Sequence, residues 1–329
     1  MTVRMRRRTT LAGMLLAACG TIAMPLAGAG AQEPIGALTL IAPAGPGGGW
    51  DQTARALQAA MQQEGLAGAV TVENIPGAGG TIGLAQFVER ERGQGDALLV
   101  GGLVMLGAII TNGAPVTLDQ VTPVARLTGE YEVVVVPASS ELQTMQDLVA
   151  ALKNDPGAVA WGGGSAGGTD HILAGLIAQE AGVDPSKVNY VPFSGGGEAL
   201  AAVMGGHVVA GISGLSEWVG QIQAGTLRAL AISSPERLEG LDAPTLREAG
   251  LDLDLVNWRS VMAPPDLDEA ERTALVDLVD RTAKSATWQE TLKSKGWDDA
   301  YLPADQFADF LKEEDARVTG LLQTIGLAK

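Results

Sequence analysis

Four times along its length this chain leaves a β-branched run through a glycine-rich corner and resumes as an amphipathic helix. The corners are APAGPGGGWD (42–51), ENIPGAGGTIG (73–83), AWGGGSAGGTDH (160–171) and VPFSGGGEAL (191–200). Glycine permits the turn and lets backbone approach a ligand closely. Strands alternating with helices of this length are the signature of βαβ units and a mainly parallel sheet. Loops that follow parallel strands lie at the carboxyl edge of the sheet, where open α/β folds bind ligands.

The pattern predicts strands at 37–43, 70–76, 97–103, 158–164, 188–193, 208–213 and 227–233. Helices are expected at 51–64, 81–92 and 170–181, then through EALAAVMGG and SEWVGQIQAG, and at 269–284, 288–295 and 305–324. Thr144, with Asp147 three residues on, caps a further helix at MQDLVAALK. YEVVVVP (131–137) and LVNWRSVMAP (255–264) read as transitions, and two glycine corners fall on each side of the first. The simplest architecture is two similar α/β lobes joined by two strands, with a cleft between them. Residues 32–130 plus 263–329 would form lobe 1 and 131–262 lobe 2.

The first 31 residues read as an export signal. Arg4, Arg6, Arg7 and Arg8 precede an apolar stretch too short for a membrane span, and Ala29-Gly30-Ala31 offers a cleavage site. Cleavage at LLAACG, with lipid on Cys19, is the alternative, and the Arg pair before Thr9 hints at twin-arginine rather than general export. Cys19 is the only cysteine and there are two His, so disulfides, thiol chemistry and Cys- or His-built metal sites are not expected. Without the four signal arginines, 18 Lys+Arg face 38 Asp+Glu, a net charge of −20. Nucleic acid and anionic membranes would be repelled.

No Lys or Arg stands in any of the four corners, yet each opens a helix whose unpaired N–H groups carry about half a positive charge. Backbone alone can hold a carboxylate there. Hydrogen bonds to a charged group contribute about 1.5–3 kcal/mol each, so four to six give roughly 6–18 kcal/mol. Association costs about 4–15 kcal/mol, which leaves micromolar binding, about 8 kcal/mol, within reach. The competing reading is that the glycines only make tight turns.

Two enzyme readings fit one corner. Gly163 to Gly167 matches the G-x-S-x-G elbow around Ser165, but His171 lies only six residues on and His207 follows VMGG, so neither stands as a late triad His. Gly162 to Gly167 also matches G-x-G-x-x-G, without the acid that a dinucleotide site places after the next strand. Ser165, Thr169 and Thr81 suit helix caps as well as ligand contacts. Asp51 and Asp170 suit caps or dipole partners, and His171 a local hydrogen bond. Trp50, amid glycines, suits packing on a ligand. Arg126 and Arg259 sit beside the transitions, where a side chain can reach the cleft.

Taken together, APAGPGGGWDQTAR, VENIPGAGGTIG, GGGSAGGTDHILAG, VNYVPFSGGGEAL, LRALAISSPERL and APTLREAG resemble the Bug receptors, the extracytoplasmic solute-binding proteins of tripartite tricarboxylate transporters. GGGWD and NWRS look most like the TctC-type, citrate-binding members. The resemblance implies an α/β, two-lobed periplasmic binding protein of type II (Venus-flytrap) architecture with two crossover strands. It also implies that a ligand carboxylate is held, partly through water, by Gly47, Gly48, Gly49, Trp50 and Asp51 with Pro76, Gly77, Ala78, Gly79, Gly80 and Thr81. Ser165, Ala166, Gly167, Gly168, Thr169 and His171 would complete the grip. The stretches from Phe193 to Gly197, with Ser194, Gly195 and Gly196, and from Gly214 through Ser216 to Glu217 would form the distal wall. Arg259 and Ser260 follow Trp258 where many members carry an aromatic or small residue, and Arg259 is expected to pair with an extra ligand carboxylate. The implied function is a periplasmic receptor, monomeric and free of cofactor, metal and catalytic residues. It would present a small carboxylate, citrate first, to a large and a small membrane permease subunit. A secreted serine esterase using Ser165 is the alternative, and delivery to a signalling protein a third.

Overall fold

Strand β1 (Ile35–Ala42) lies between β2 (Ala67–Asn74) and β3 (Ala97–Gly102), parallel to both. Helix α1 (Gly49–Gln63) makes the first crossover and α2 (Thr81–Arg90) the second. Ala54, Leu57, Ala60 and Met61 bury one face of α1, and the helix ends at Glu64, just before Gly65 at φ +64°. This computed structural model describes residues 35–328. The export signal read at 1–31, with Cys19, lies outside them. The described residues form one compact unit.

Helix α3 (Leu103–Asn112) follows β3 directly. The next strand, β4 (Thr122–Pro137), is twice the length expected. Beyond it come α4 (Met145–Asn154), β5 (Ala160–Gly163), α5 (Thr169–Glu180), β6 (Asn189–Pro192), α6 (Gly196–Met204), β7 (Ala210–Gly214), α7 (Leu215–Gln223) and β8 (Leu227–Ile232). The chain closes with β9 (Val256–Ala263), α8 (Glu269–Ala283), α9 (Ala286–Lys295), β10 (Asp298–Pro303) and α10 (Ala304–Thr324).

Among the described residues the strands run in the order β2-β1-β3-β9-β4-β7-β5-β6, with β8 and β10 also paired to β4. From Thr122 to Tyr131, β4 pairs antiparallel with β9; from Glu132 it pairs with β7 and β8. One strand therefore belongs to both halves of the sheet. Its run Val133 to Val136 is apolar throughout because both faces are covered. Val134 and Val136 join the larger apolar cluster, while Val133 and Val135 join a second one with Val203, Trp218 and Ile232. At the other crossing, Trp258 of β9 donates from Nε1 to Glu314 of α10 at 2.8 Å and packs edge-on against Phe307 and Phe310. Arg126 stays on this side of the sheet, over the Phe310 ring at 4.4 Å, with Nε donating to the Ala300 carbonyl.

The helix starts divide into two kinds. Side chains of Thr144, Asp268 and Ser285 cap α4, α8 and α9. By contrast α1, α2, α3, α5, α6 and α7 begin after Gly48, Gly80, Gly102, Gly168, Gly195 and Gly214, none with a side-chain cap. Serine, threonine, aspartate or asparagine at such a position satisfies a free N–H; glycine leaves it open. Thr144→Ala should lower stability by about 1 kcal/mol, read as a lower urea midpoint at unchanged slope, and should leave ligand binding alone.

Candidate functional site

The uncapped helix starts converge. Corners before α1, α2, α5 and α6 and the start of α7 surround a cavity of about 440 Å³ at the junction of the two halves of the sheet. Gly48, Gly49 and Trp50 form one wall and Gly77 to Gly80 a second. Ser165, Ala166 and Phe193 to Gly196 face them, and Ser213, Glu217, Asn257 and Arg259 form the floor. Glycine is required at the closest approaches. A Cβ on Gly49 would stand 2.8 Å from Arg259 Cζ and 3.0 Å from Glu217 Oε1, and one on Gly80 would stand 2.7 Å from the Trp50 ring. Gly80 also sits at φ +89°, a left-handed conformation unsuited to larger residues.

Three of the four corners are stiffened by acceptor side chains of the helix they open. Asp51 accepts from Gly47 N–H at 2.8 Å, Asp170 from Gly164 N–H at 2.5 Å, His171 Nδ1 from Gly167 N–H at 3.2 Å and Glu198 from Ser194 N–H at 3.1 Å. These bonds leave other N–H groups free. Among the described residues, nothing accepts from the N–H of Ser165, Ala166 or Gly195, and Ala78 opens its 3₁₀ turn uncapped. The result is a ring of backbone donors with no cation among them.

The floor is ionic and buried. Arg259, 1% exposed, is paired through Nη2 with Glu130, and Glu130 also accepts from Ser216 N–H at 2.7 Å. Asn257 Nδ2 donates to Glu132 Oε1 at 2.9 Å. Four carboxyl groups, those of Glu130, Glu132, Asp170 and Glu217, thus surround one guanidinium. Burial pushes Glu217 up to about 8 and Asp170 up to about 6. Glu132 is raised well above the ordinary carboxyl range, by burial first and then by repulsion from Asp170, Glu130 and Glu217. The Arg259 guanidinium works against these rises but is one charge among four carboxyls.

Of the residues singled out from sequence, Gly48, Gly49, Trp50, Gly77, Ala78, Gly79, Gly80, Ser165, Ala166, Ser194, Gly195, Gly196, Glu217 and Arg259 line the cavity. The remainder lie behind it. Gly47 and Asp51 hold each other, with Asn74 and Arg55 also on Asp51. Pro76 precedes the second wall, and Thr81 donates to the Ala78 carbonyl. Gly167 and Gly168 press on Thr111 and Val104, and Thr169 is buried with its hydroxyl unpartnered. His171 stacks on Tyr190 at 4.0 Å, and burial lowers it to about 4. Ser216 accepts from Trp297 Nε1 at 3.3 Å. Three expectations need correcting. Trp50 is not a loop-tip aromatic short of neighbours; it is 6% exposed in the first turn of α1 and part of the core. Arg259 meets a carboxylate of its own chain, Glu130. His171 is committed to Gly167 and Tyr190, and no hydrogen bond joins it to Ser165 among the described residues.

Sequence reasoning missed Val104 and Asn112, because it missed α3. It also missed Glu130, Glu132, Asn257 and Ser213. Glu130 and Glu132 did carry a signal: two acids at i and i+2 at the mouth of an apolar strand share one buried face. Among the described residues no His, Cys, Asp and Glu group could hold a metal ion, and no helix is long and apolar enough to cross a membrane.

Comparison with known proteins gives a consistent picture. The family model for the tripartite tricarboxylate transporter family receptor, TctC, matches residues 53–327. Protein BugT of Bordetella pertussis is 28% identical over 330 residues, covering 98% of this chain and 99% of BugT. A solved periplasmic transporter is 27% identical with a TM-score of 0.80, covering 90% of this chain and 99% of its own. MatC from Rhodopseudomonas palustris, with bound malate, is 26% identical with a TM-score of 0.77, covering 88% and 99%. The fold is that of the two-lobed periplasmic solute-binding proteins.

The raised carboxyls set a pH dependence. Glu217 is faced by Arg259, Glu130, Asp170 and the Gly49 backbone. An acid raised on folding contributes stability that is complete below its ordinary value and lost as pH climbs through the folded one. For Glu217 that window runs from 4.5 to about 8, and for Asp170 from 3.8 to about 6. His171, lowered from 6.5 to about 4, acts in the opposite sense below neutrality. Glu217→Gln removes one titration only. Its calorimetric midpoint should gain steadily on wild type between about pH 5 and 8; parallel curves would contradict the assignment.

Proposed function

Because the chain belongs to the TctC family of tripartite tricarboxylate transporter receptors, we propose that it captures a small carboxylate between its glycine corners and presents it to the permease subunits of such a transporter. The family is one of binding receptors rather than enzymes. The observation that carries the proposal is the set of helix starts around the cavity: each follows a glycine and none has a side-chain cap, whereas α4, α8 and α9, away from it, are capped by Thr144, Asp268 and Ser285. A carboxylate placed there meets several converging donors and the positive ends of several helices. Malate bound to MatC supports the same ligand class.

The place of action we infer is the periplasm, as a monomer without cofactor, the ligand being trapped by hinge closure of the two lobes. A second lobe spanning 131–262 is supported at its first boundary, where β4 changes partners between Tyr131 and Glu132. For the other boundary, proposed at 262, the pairing of β9 with β4 from Val256 to Ala263 favours a crossing earlier in the chain. Citrate, the first candidate from sequence, would bring three negative charges to a cavity whose lone arginine is already paired. The class proposed is therefore the broader one, a small organic carboxylate.

The test is a thermal-shift screen of carboxylates on the signal-free protein. A true ligand at a hundred times its Kd should stabilise the fold by about 2.7 kcal/mol, and a panel that leaves the midpoint unmoved removes the proposal. Salt gives a second check. Backbone dipoles act at short range, while the −20 net charge opposes the approach of an anion. Affinity should thus hold or rise as ionic strength goes from about 20 to 200 mM; a steep fall would point to a lysine- or arginine-based site instead.

A further inference from the structure

The floor of the cavity has a chemistry of its own. Arg259 is the only basic side chain on the lining, while Asp170, Glu198 and Glu217 all contribute to it. Behind them stand Glu130, which pairs with Arg259, and Glu132, which holds Asn257. Arg259 and Asn257 are 1% and 6% exposed, and both line the cavity. Each keeps one buried polar atom without a partner: Nη1 of Arg259, a donor, and Oδ1 of Asn257, an acceptor. They are two residues apart on β9, so their side chains share one face of the strand. Leaving such atoms buried and unpaired is costly, which makes them places for a ligand to occupy.

We propose that this floor takes an uncharged group that both accepts and donates, a primary amide or a hydroxyl, so that the ligand is a carboxylate with one neutral polar end. The inference rests on the reading that the glycine corners hold the carboxylate. An amide oxygen would accept from Arg259 Nη1 while its N–H donates to Asn257 Oδ1. A second carboxylate satisfies the arginine but turns its other oxygen toward Asn257 Oδ1, with no proton to offer. It would also add a charge beside an arginine whose own charge is already met by Glu130. Like charges held this close in a buried site disfavour each other strongly.

The experiment is titration calorimetry of the wild-type protein at about pH 7.5 with matched pairs of three chain lengths: succinate and succinamate, glutarate and glutaramate, adipate and its monoamide. The hydroxy acids of the same lengths form a third arm. For each length that binds, the amide or the hydroxy acid should bind at least about tenfold tighter than the dicarboxylate, a preference of 1.4 kcal/mol or more. Dicarboxylates binding as well as their neutral-ended partners would overturn this inference and leave the carboxylate receptor standing. Should no member bind while longer or aromatic monocarboxylates without a polar end do, the inference also falls and the receptor reading survives. If nothing in either panel binds, both are lost.

Discussion

A single guanidinium, held against Glu130 where β4 and β9 run side by side, is the contact on which the rest of the site depends. Its position leaves no room for a Cβ on Gly49, and so the first residue of α1, at the wall of the cavity, is glycine. Glu130 also receives the Ser216 N–H, which fixes the start of α7, and α7 brings Glu217 to the floor. A buried ion pair is weak evidence of net stability, yet removing one partner leaves a charge with nothing to meet it. The pair is best understood as positioning: it ties one helix start from each side of the cavity to one place on the sheet.

Two electrostatic regimes then occupy the same cavity. The upper walls are built of backbone dipoles whose positive ends point inward. The floor is a cluster of acids with one cation. A uniform cationic pocket would admit any polyanion, whereas this division separates where charge is welcome from where it is not. It would also reconcile the proposed anion site with a strongly acidic chain, because dipoles at contact distance are indifferent to net charge that is spread over the surface and screened.

Much of this was legible in the sequence, and the failures have physical reasons. Glycine corners, capped α4 and the alternation of strand and helix were readable because turn chemistry and period are local. Helix α3 was hidden because LVMLGAII is apolar on every side with no polar face to show a helical period, and it runs on from a strand with no polar cap. Strand β10, DDAYLP, begins with two aspartates and lacks a β-branched run. The first half of β4 holds Pro123, Arg126 and Gly129, which mask its extension, while tertiary pairing on both sides supplies what propensity does not. At the site, the glycines announced themselves. The roles of Glu130, Asn257 and Arg259 could not be told from spacing, since their partners lie more than a hundred residues away.

The aromatic contact between β9 and α10 has one more consequence. Trp258 precedes Arg259 and gives its indole proton to Glu314, while Phe307 and Phe310 of the same final helix pack around it. The cavity floor is thus anchored by α10, a helix that follows Arg259 well along the chain. A partially translocated or prematurely terminated polypeptide would carry every glycine corner and still lack the buttress beneath its arginine. The shape of the cavity floor thus waits on the packing of α10, a dependence that comes from chain order alone.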